Sequence, residues 1–95
     1  MAGISKTVVS VQPGKVEEVI KFIDSQSCLL TQLEGEIGFA VAITGTDEIT
    51  IIGVYDNTES AEAASGTVQN VFSDLAPLMA SRPNRSIYSG EWLAR

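Results

Sequence analysis

The fold is decided by residues 36–55, which read EIGFAVAITGTDEITIIGVY. Two runs of β-branched and other apolar residues, 36–44 and 49–55, flank the polar cluster Gly45-Thr46-Asp47-Glu48. That pattern predicts two antiparallel strands joined by a short hairpin turn. Successive side chains of a strand point to opposite faces, and both sets are largely apolar here. We therefore expect other parts of a protein to cover both faces of this hairpin.

The segment before the hairpin predicts a strand followed by a helix. β-Branched residues dominate 4–11, as in a strand, and apolar residues then recur every three and four positions from 14 to about 30, as in a helix. Gly35 is a suitable stop for the helix. A second apolar stripe on this helix packs on a neighbouring helix or a partner subunit, or else lines the mouth of a pocket; it contains Phe22, Leu29 and Leu33.

The segment after the hairpin predicts a second helix and a last strand. Asp56 and Asn57 are suitable helix caps, and Pro77 is expected to kink or end the helix near Ala76. One apolar stripe runs along this helix, through Ala61, Ala64, Val68, Val71, Phe72, Leu75 and Met79. The last strand is predicted over 86–93, with Tyr88 and Trp92 on the same face.

The order strand–helix–strand–strand–helix–strand predicts a single α+β domain over residues 1–95. It is the ferredoxin-like βαββαβ arrangement, an antiparallel sheet with both helices on one face. The helices leave the other, equally apolar face without a cover. A second copy of the chain related by a two-fold axis is the simplest cover, so the sequence predicts a homodimer.

Composition excludes several kinds of partner and chemistry. Six Lys and Arg against twelve Asp and Glu give a net charge of −6, which argues against nucleic acid and anionic membranes as partners. There is no histidine, so the commonest metal ligand, general base and haem ligand are missing. We expect no metal site. With no signal-peptide pattern, short apolar runs and a lone Cys28, we expect a cytoplasmic protein.

Four stretches resemble a known group of proteins. They are Val11-Gln12-Pro13-Gly14-Lys15-Val16-Glu17-Glu18, Gly35-Glu36-Ile37-Gly38-Phe39, the run from Val54 to Ala64 (VYDNTESAEAA), and Phe72-Ser73-Asp74-Leu75-Ala76-Pro77-Leu78. Together they are similar to the dimeric α+β barrel superfamily and, within it, to the antibiotic-biosynthesis-monooxygenase-like proteins. The resemblance implies a homodimer whose two sheets form a barrel, with a pocket between each sheet and its helices.

The same resemblance implies two different chemistries, and the lack of histidine argues against the second. Some relatives oxidise polycyclic phenols or quinols with oxygen and neither metal nor flavin, so we expect no cofactor. Others degrade haem with a histidine ligand that this chain lacks. The Asn and Trp pairing of the cofactor-free oxygenases is not recognisable at matching positions, so no catalytic residue is assigned.

Aromatic and polar side chains near the strand ends are the candidate ligand-binding residues. Tyr55 ends a strand just before a helix, where its phenol could face a pocket, and Tyr88 with Trp92 could stack on a flat ligand. The alternative is that these aromatics belong to the core or to a dimer interface. Arg82 and Arg85 could receive an anionic group, or else are solvated. The predicted ligand-binding set is Phe39, Tyr55, Asn57, Phe72, Tyr88 and Trp92.

Two functions from different classes follow. The first is a cofactor-independent monooxygenase acting on an apolar aromatic compound, with Tyr55 or Asn57 helping to hold the substrate anion. The second is a non-catalytic homodimer that binds a ligand or serves as a structural subunit. The lack of any compact polar constellation in the sequence favours the second, and the resemblance favours the first.

Overall fold

The computed structural model describes residues 1–93. Along the chain, one strand is followed by helices, a strand hairpin, further helices and a last strand. The strands are β1 (Ala2–Ser10), β2 (Glu36–Gly45), β3 (Glu48–Tyr55) and β4 (Asn84–Gly90). The helices are α1 (Val16–Ser25), α2 (Ser27–Thr31), α3 (Thr58–Ala63) and α4 (Ser65–Asp74), followed by a short 3₁₀ turn, Ala76–Leu78. None of the described helices is long and apolar enough to cross a membrane.

The first strand occupies the interior of the sheet. The strand order is β2-β3-β1-β4, and every neighbouring pair is antiparallel. β1 pairs with β3 from Gly3↔Tyr55 to Ser10↔Glu48, and with β4 from Ala2↔Gly90 to Val8↔Asn84. The predicted α+β, ferredoxin-like arrangement is confirmed by this topology. The hairpin turn is shorter than predicted, because Gly45 pairs with Glu48 and leaves only Thr46 and Asp47 between them.

The main hydrophobic core lies between one face of the sheet and the helices. On the sheet side it contains Val9, Val11, Ile49 and Ile51, with Phe39 and Val41 packed against them. The helices contribute the predicted apolar stripes, whose buried members in this cluster are Val19, Ile23, Leu30, Val68, Val71, Phe72 and Leu75. Ala61 and Ala64 of the second stripe are buried against Tyr55 in a smaller cluster. Burial of these side chains is the main free-energy gain available to a chain of this length.

Both predicted helices are interrupted. The first breaks at Gln26, whose N–H is shared between the Phe22 carbonyl oxygen at 3.2 Å and the Ile23 carbonyl oxygen at 3.0 Å, the tighter bonding of a 3₁₀ turn. The second breaks at Ala64 and ends at Asp74, before the 3₁₀ turn that contains Pro77. Met79 therefore has extended backbone and does not continue the helical stripe.

The first and last strands differ by a few residues from the predictions. β4 was predicted over 86–93 but ends at Gly90, which pairs with Ala2, because there β1 runs out of residues to pair with. Trp92 consequently lies outside the strand. β1 ends at Ser10, and Val11 forms an isolated bridge to Met79.

The helix-free side of the sheet, which we call the open face, consists of three cross-strand rows given by the pairing register. The rows are Gly38–Val54–Ile4–Tyr88, Ala40–Ile52–Lys6–Ser86 and Ala42–Thr50–Val8–Asn84. Lys6 is the one charged residue among them. The largely apolar character predicted for this face is therefore confirmed.

Two isoleucines opposite each other in the hairpin give a matched test of the core. Ile49 is fully buried, whereas its cross-strand partner Ile43 is 64% exposed. We expect Ile49→Ala to lower the free energy of unfolding by about 2–5 kcal/mol, through lost burial and the cavity left behind. Ile43→Ala should change it by about 0.5 kcal/mol or less. Chemical denaturation of both variants measures this, and equal losses would contradict the packing described.

Candidate functional site

The Tyr55 ring lies flat against its own strand, inside the interface between sheet and helices. Tyr55 is only 3% exposed. A Cβ atom placed on Gly53 would lie 3.1 Å from the Tyr55 Cε1 atom and 2.7 Å from the Ser5 Oγ atom. Glycine at position 53 thus makes the space in which the phenol folds back over the sheet. The phenol is held by packing rather than presented at the strand end.

Arg85 projects from β4 towards the helices. Its Nη2 donates to the Ala61 carbonyl oxygen at 2.9 Å, and its Nη1 donates to the Ser65 Oγ at 2.6 Å. Ala61 belongs to the last turn of α3, where carbonyl groups lack partners within the helix. These bonds use two of the five N–H groups of the guanidinium, so donors remain for another partner.

A small inner cavity separates the sheet from the helices beside these two residues. Its volume is about 20 Å³, room for about one water molecule. Most of its wall is apolar, and Tyr55 and Arg85 contribute polar groups. The lining also includes Ser5, Thr7, Ile23, Leu30, Leu33, Phe39, Ile51, Val68, Val71 and Phe72. Side chains fill the rest of the interface, so an aromatic ligand does not fit into this cavity.

A much larger outer groove opens on the other side of Arg85. Its volume is about 930 Å³, within the range of small-molecule sites. It lies between α4, the segment 79–83 and β4. Val68, Phe72 and Arg85 line both the outer groove and the inner cavity, so they form the wall between them. The remaining lining is Glu62, Ser65, Gln69, Ser73, Ala76, Met79, Ala80, Ser81, Arg82, Pro83 and Ile87.

Burial disfavours ionisation of Glu36 and Tyr55, which are paired across β2 and β3. Burial raises the pKa of the Tyr55 phenol; the Arg85 charge and a hydrogen bond with Arg85 lower it, and the Glu36 charge raises it. The phenol is therefore neutral at neutral pH. Burial also raises the pKa of Glu36, whose Oε2 atom is enclosed and has no hydrogen-bond partner among residues 1–93.

The six predicted ligand-binding residues fall into three places. Phe39, Tyr55 and Phe72 are brought together around the inner cavity, and Phe72 also lines the outer groove. Asn57 is exposed and caps α3, because its Oδ1 accepts from the Ser60 N–H at 2.8 Å. A ligand-binding role for these residues stays a prediction.

Tyr88 and Trp92 lie on the open face, away from both spaces. They are 55% and 50% exposed. The Trp92 Cη2 atom lies 4.0 Å from the point where a Cβ atom on Gly38 would sit, although Trp92 is not part of a strand. Their placement on one side of the sheet fits the alternative of interface aromatics.

The predicted site set omits Arg85, the residue at which cavity and groove meet. Alternation along β4 places Arg85 on the same face as Ile87, the face that packs against the helices, and this signal was available in the sequence. The contacts with Ala61 and Ser65 depend on the break between α3 and α4, which the sequence pattern does not show. Among residues 1–93 no three His, Cys, Asp or Glu side chains cluster as metal ligands do.

Comparison with known proteins identifies the fold. No family model and no curated protein sequence matches the chain. Among solved structures, the protein of unknown function NE2512 from Nitrosomonas europaea matches with a TM-score of 0.81 and 14% identity, covering 99% of this chain and 96% of that one. A provisionally assigned antibiotic biosynthesis monooxygenase from the same organism matches with a TM-score of 0.80 and 17% identity, covering 94% and 89%.

A structure whose activity is stated is also similar. SnoaB from Streptomyces nogalater, a cofactor-independent oxygenase crystallised as a point variant, matches with a TM-score of 0.77 and 8% identity, covering 97% of this chain and 95% of that one. The chain therefore has the fold of the antibiotic biosynthesis monooxygenases, as its resemblance to them implied. Identities at this level show a shared fold and carry no activity across.

The raised pKa of Tyr55 can be observed directly, because the chain has only two tyrosines. In a Tyr88→Phe variant unfolded by denaturant, the phenolate absorbance of Tyr55 should appear with a midpoint near pH 10, the ordinary value for tyrosine. In the same variant when folded, we expect the midpoint at a higher pH. Unfolded chains then release the proton first, so stability should fall as the pH rises above about 10. Identical midpoints in the folded and unfolded states would contradict the burial of the phenol.

Proposed function

We propose that this chain, with its antibiotic biosynthesis monooxygenase fold, is a cofactor-independent oxygenase of apolar aromatic compounds that ionise at a ring hydroxyl. The outer groove would hold the substrate. One observation carries the proposal: a half-buried guanidinium, Arg85, stands at the deep end of this groove beside the aromatic wall formed by Phe72. That combination suits a flat ring whose oxygen carries a negative charge.

Arg85 is suited to stabilise a phenolate or enolate. Its contacts with the Ala61 carbonyl oxygen and Ser65 fix the guanidinium before any ligand binds, and donors remain free. A preorganised donor in a poorly hydrated place stabilises a developing oxyanion more than water does. Among residues 1–93, no carboxylate lies within ion-pair distance of Arg85 to neutralise it.

The electrons would come from the substrate itself. An anthrone, for example, has an enol form whose ring hydroxyl loses its proton to solvent, and the resulting enolate reacts with dioxygen at the carbon that is the methylene group of the ketone. One oxygen atom becomes the new carbonyl oxygen and the other leaves as water, so the four electrons that dioxygen accepts come from the oxidised methylene group. The chain's part is to bind the ring, favour the anion and keep water away. The similarity to the cofactor-independent oxygenase SnoaB supports this chemistry.

A second candidate is a homodimeric module that binds a ligand without transforming it, or that has a structural role only. The near-complete filling of the sheet–helix interface favours its structural form and counts against a ligand held between sheet and helices, because only about 20 Å³ remains enclosed there. Without rearrangement, a ligand in the outer groove stays partly in contact with solvent. Water exclusion, which an oxygenase needs for its carbanionic intermediate, then depends on the ligand and on any covering subunit.

Homodimerisation through the open face is part of both candidates. The three rows of this face present Ile4, Val8 and Ile52, all partly exposed, to the helix-free side, with Lys6 as the one charge in the rows and Glu48 on the same face beyond them. Exposed apolar surfaces of this kind mark interaction sites. A second copy related by a two-fold axis would place Tyr88 and Trp92 at the contact.

Ligand binding tests the role of Arg85. We expect hydroquinones or anthrones to raise the melting temperature of the wild-type protein and to be turned over under air. Arg85→Gln should weaken their affinity about 10- to 100-fold, the value of a charge-assisted hydrogen bond. Lys21→Gln, which removes an exposed charge on α1, is the matched control.

The outcomes of this assay separate the candidates. Binding with dioxygen consumption supports the oxygenase, and binding without it supports the non-catalytic module. Absence of any binding across the panel would contradict both ligand-binding forms. Since Arg85→Gln also removes two hydrogen bonds, circular dichroism must show it folded, and Phe72→Leu provides a second variant in the same wall.

Analytical ultracentrifugation tests the dimer. The wild-type protein should sediment as a dimer at micromolar concentration, and Ile52→Asp on the open face should sediment as a monomer, because it places a charge in the contact. Ile43→Asp is the control, since Ile43 is exposed but does not belong to the open-face rows. A wild-type monomer, or equal dissociation of both variants, would contradict the proposed contact.

A further inference from the structure

The outer groove carries a second cation at its rim. Arg82 lines the groove together with Arg85, so two of the six basic residues of the chain border one space. Arg82 is exposed, whereas Phe72 and Val68 at the deep end are buried. The lining of the groove thus combines buried apolar side chains with two guanidinium groups, of which Arg85 is half-buried and Arg82 exposed.

Arg82 is not engaged by the protein's own carboxylates. The chain has twelve of these, yet among residues 1–93 the one ion pair joins Lys15 and Glu18, on α1 and just before it. Glu62 is the single acidic side chain in the lining of the groove. In an acidic protein a free guanidinium beside a large groove is a local site of positive potential, which an anionic group can use.

The size of the groove leaves room beyond a ring system at its deep end. A volume of about 930 Å³ is at the upper end of the range for sites that hold drug-sized molecules. The lining of the groove also contains exposed polar residues, namely Gln69 and Ser73 on α4 and Ser81 on the segment before β4. The part of the groove near these residues suits a polar substituent better than a second hydrocarbon ring.

We propose that the ligand is an aromatic carboxylic acid, whose carboxylate binds Arg82 while its ring hydroxyl faces Arg85. This deepens the proposed function and rests on it. Guanidinium and carboxylate groups match in shape and form two parallel hydrogen bonds, which fixes the direction in which the ring enters the groove. Arg82 is a specificity-determining residue in this assignment, and Arg85 acts on the reacting end.

A matched pair of ligands tests the assignment. One is a hydroxyanthrone bearing a carboxylate on a side chain, and the other is its primary amide, which has the same shape without the charge. Calorimetry should show the wild-type protein binding the acid about twofold to fivefold more tightly than the amide, the usual effect of an exposed ion pair. The preference should shrink as salt is added, because screening weakens exposed charges.

Variants assign the preference to one side chain. Arg82→Gln should bind the acid and the amide equally, with the amide bound as by the wild type, and Arg82→Lys should keep part of the preference. Lys21→Gln is the control for the loss of one charge and should keep all of it. Since Arg82 is exposed and makes no described hydrogen bond, we expect these variants to fold.

Each result is decisive. Equal binding of acid and amide by the wild type, or a preference that survives in Arg82→Gln, overturns the carboxylate assignment and leaves the proposed function standing. A preference lost in Lys21→Gln as well overturns it too, since the effect is then one of net charge. Failure of both ligands to bind at any salt concentration overturns the proposed function together with this inference.

Discussion

The Arg85 guanidinium joins the sheet to the helices at the wall that separates the inner cavity from the outer groove. Arg85 extends from the edge strand β4 to the carbonyl oxygen of Ala61 and the hydroxyl of Ser65, on either side of the break between α3 and α4. The break leaves helix carbonyls without helical partners, and the guanidinium supplies a donor for one of them. The wall between inner cavity and outer groove is therefore held by hydrogen bonds as well as by apolar packing.

Different packing on the two sides of Arg85 explains why the groove and the inner cavity have such different sizes. On the sheet side of Arg85, the folded-back Tyr55 ring and the apolar side chains of α1, α2 and α4 occupy the available space. On the other side, α4 ends at Asp74 and the chain turns away through Pro77, so no element covers the space between α4 and β4. A helix that continued to Met79, as its apolar stripe suggests, would change the shape of this groove.

The sequence predicts the fold well and the site only in part, for physical reasons. Hydrophobic alternation over residues 36–55 and the helical stripes ending in Leu75 report burial directly, so strand order and core follow from them. Local turns that interrupt a helix, such as the one at Gln26, leave the apolar period unchanged, so the period does not reveal them. The sequence indicates Arg85 as a possible anion receptor, but its contacts in the wall depend on the break between α3 and α4. Its spacing from Tyr88 predicts Trp92 in the last strand, whereas β4 pairs with β1 only as far as Gly90.

The interior position of the first strand has a consequence for the order of folding during synthesis. β1 needs both β3 and β4 as neighbours, and the pair Ala2↔Gly90 joins residues at nearly opposite ends of the chain. While a ribosome is still making the second half, β1 has no β4 and one of its edges stays unpaired. The sheet can close only after the last strand has emerged, so folding is governed by long-range contacts and completed late. Until then the nascent chain exposes an apolar strand, which makes this stage the one at which chaperones would be needed.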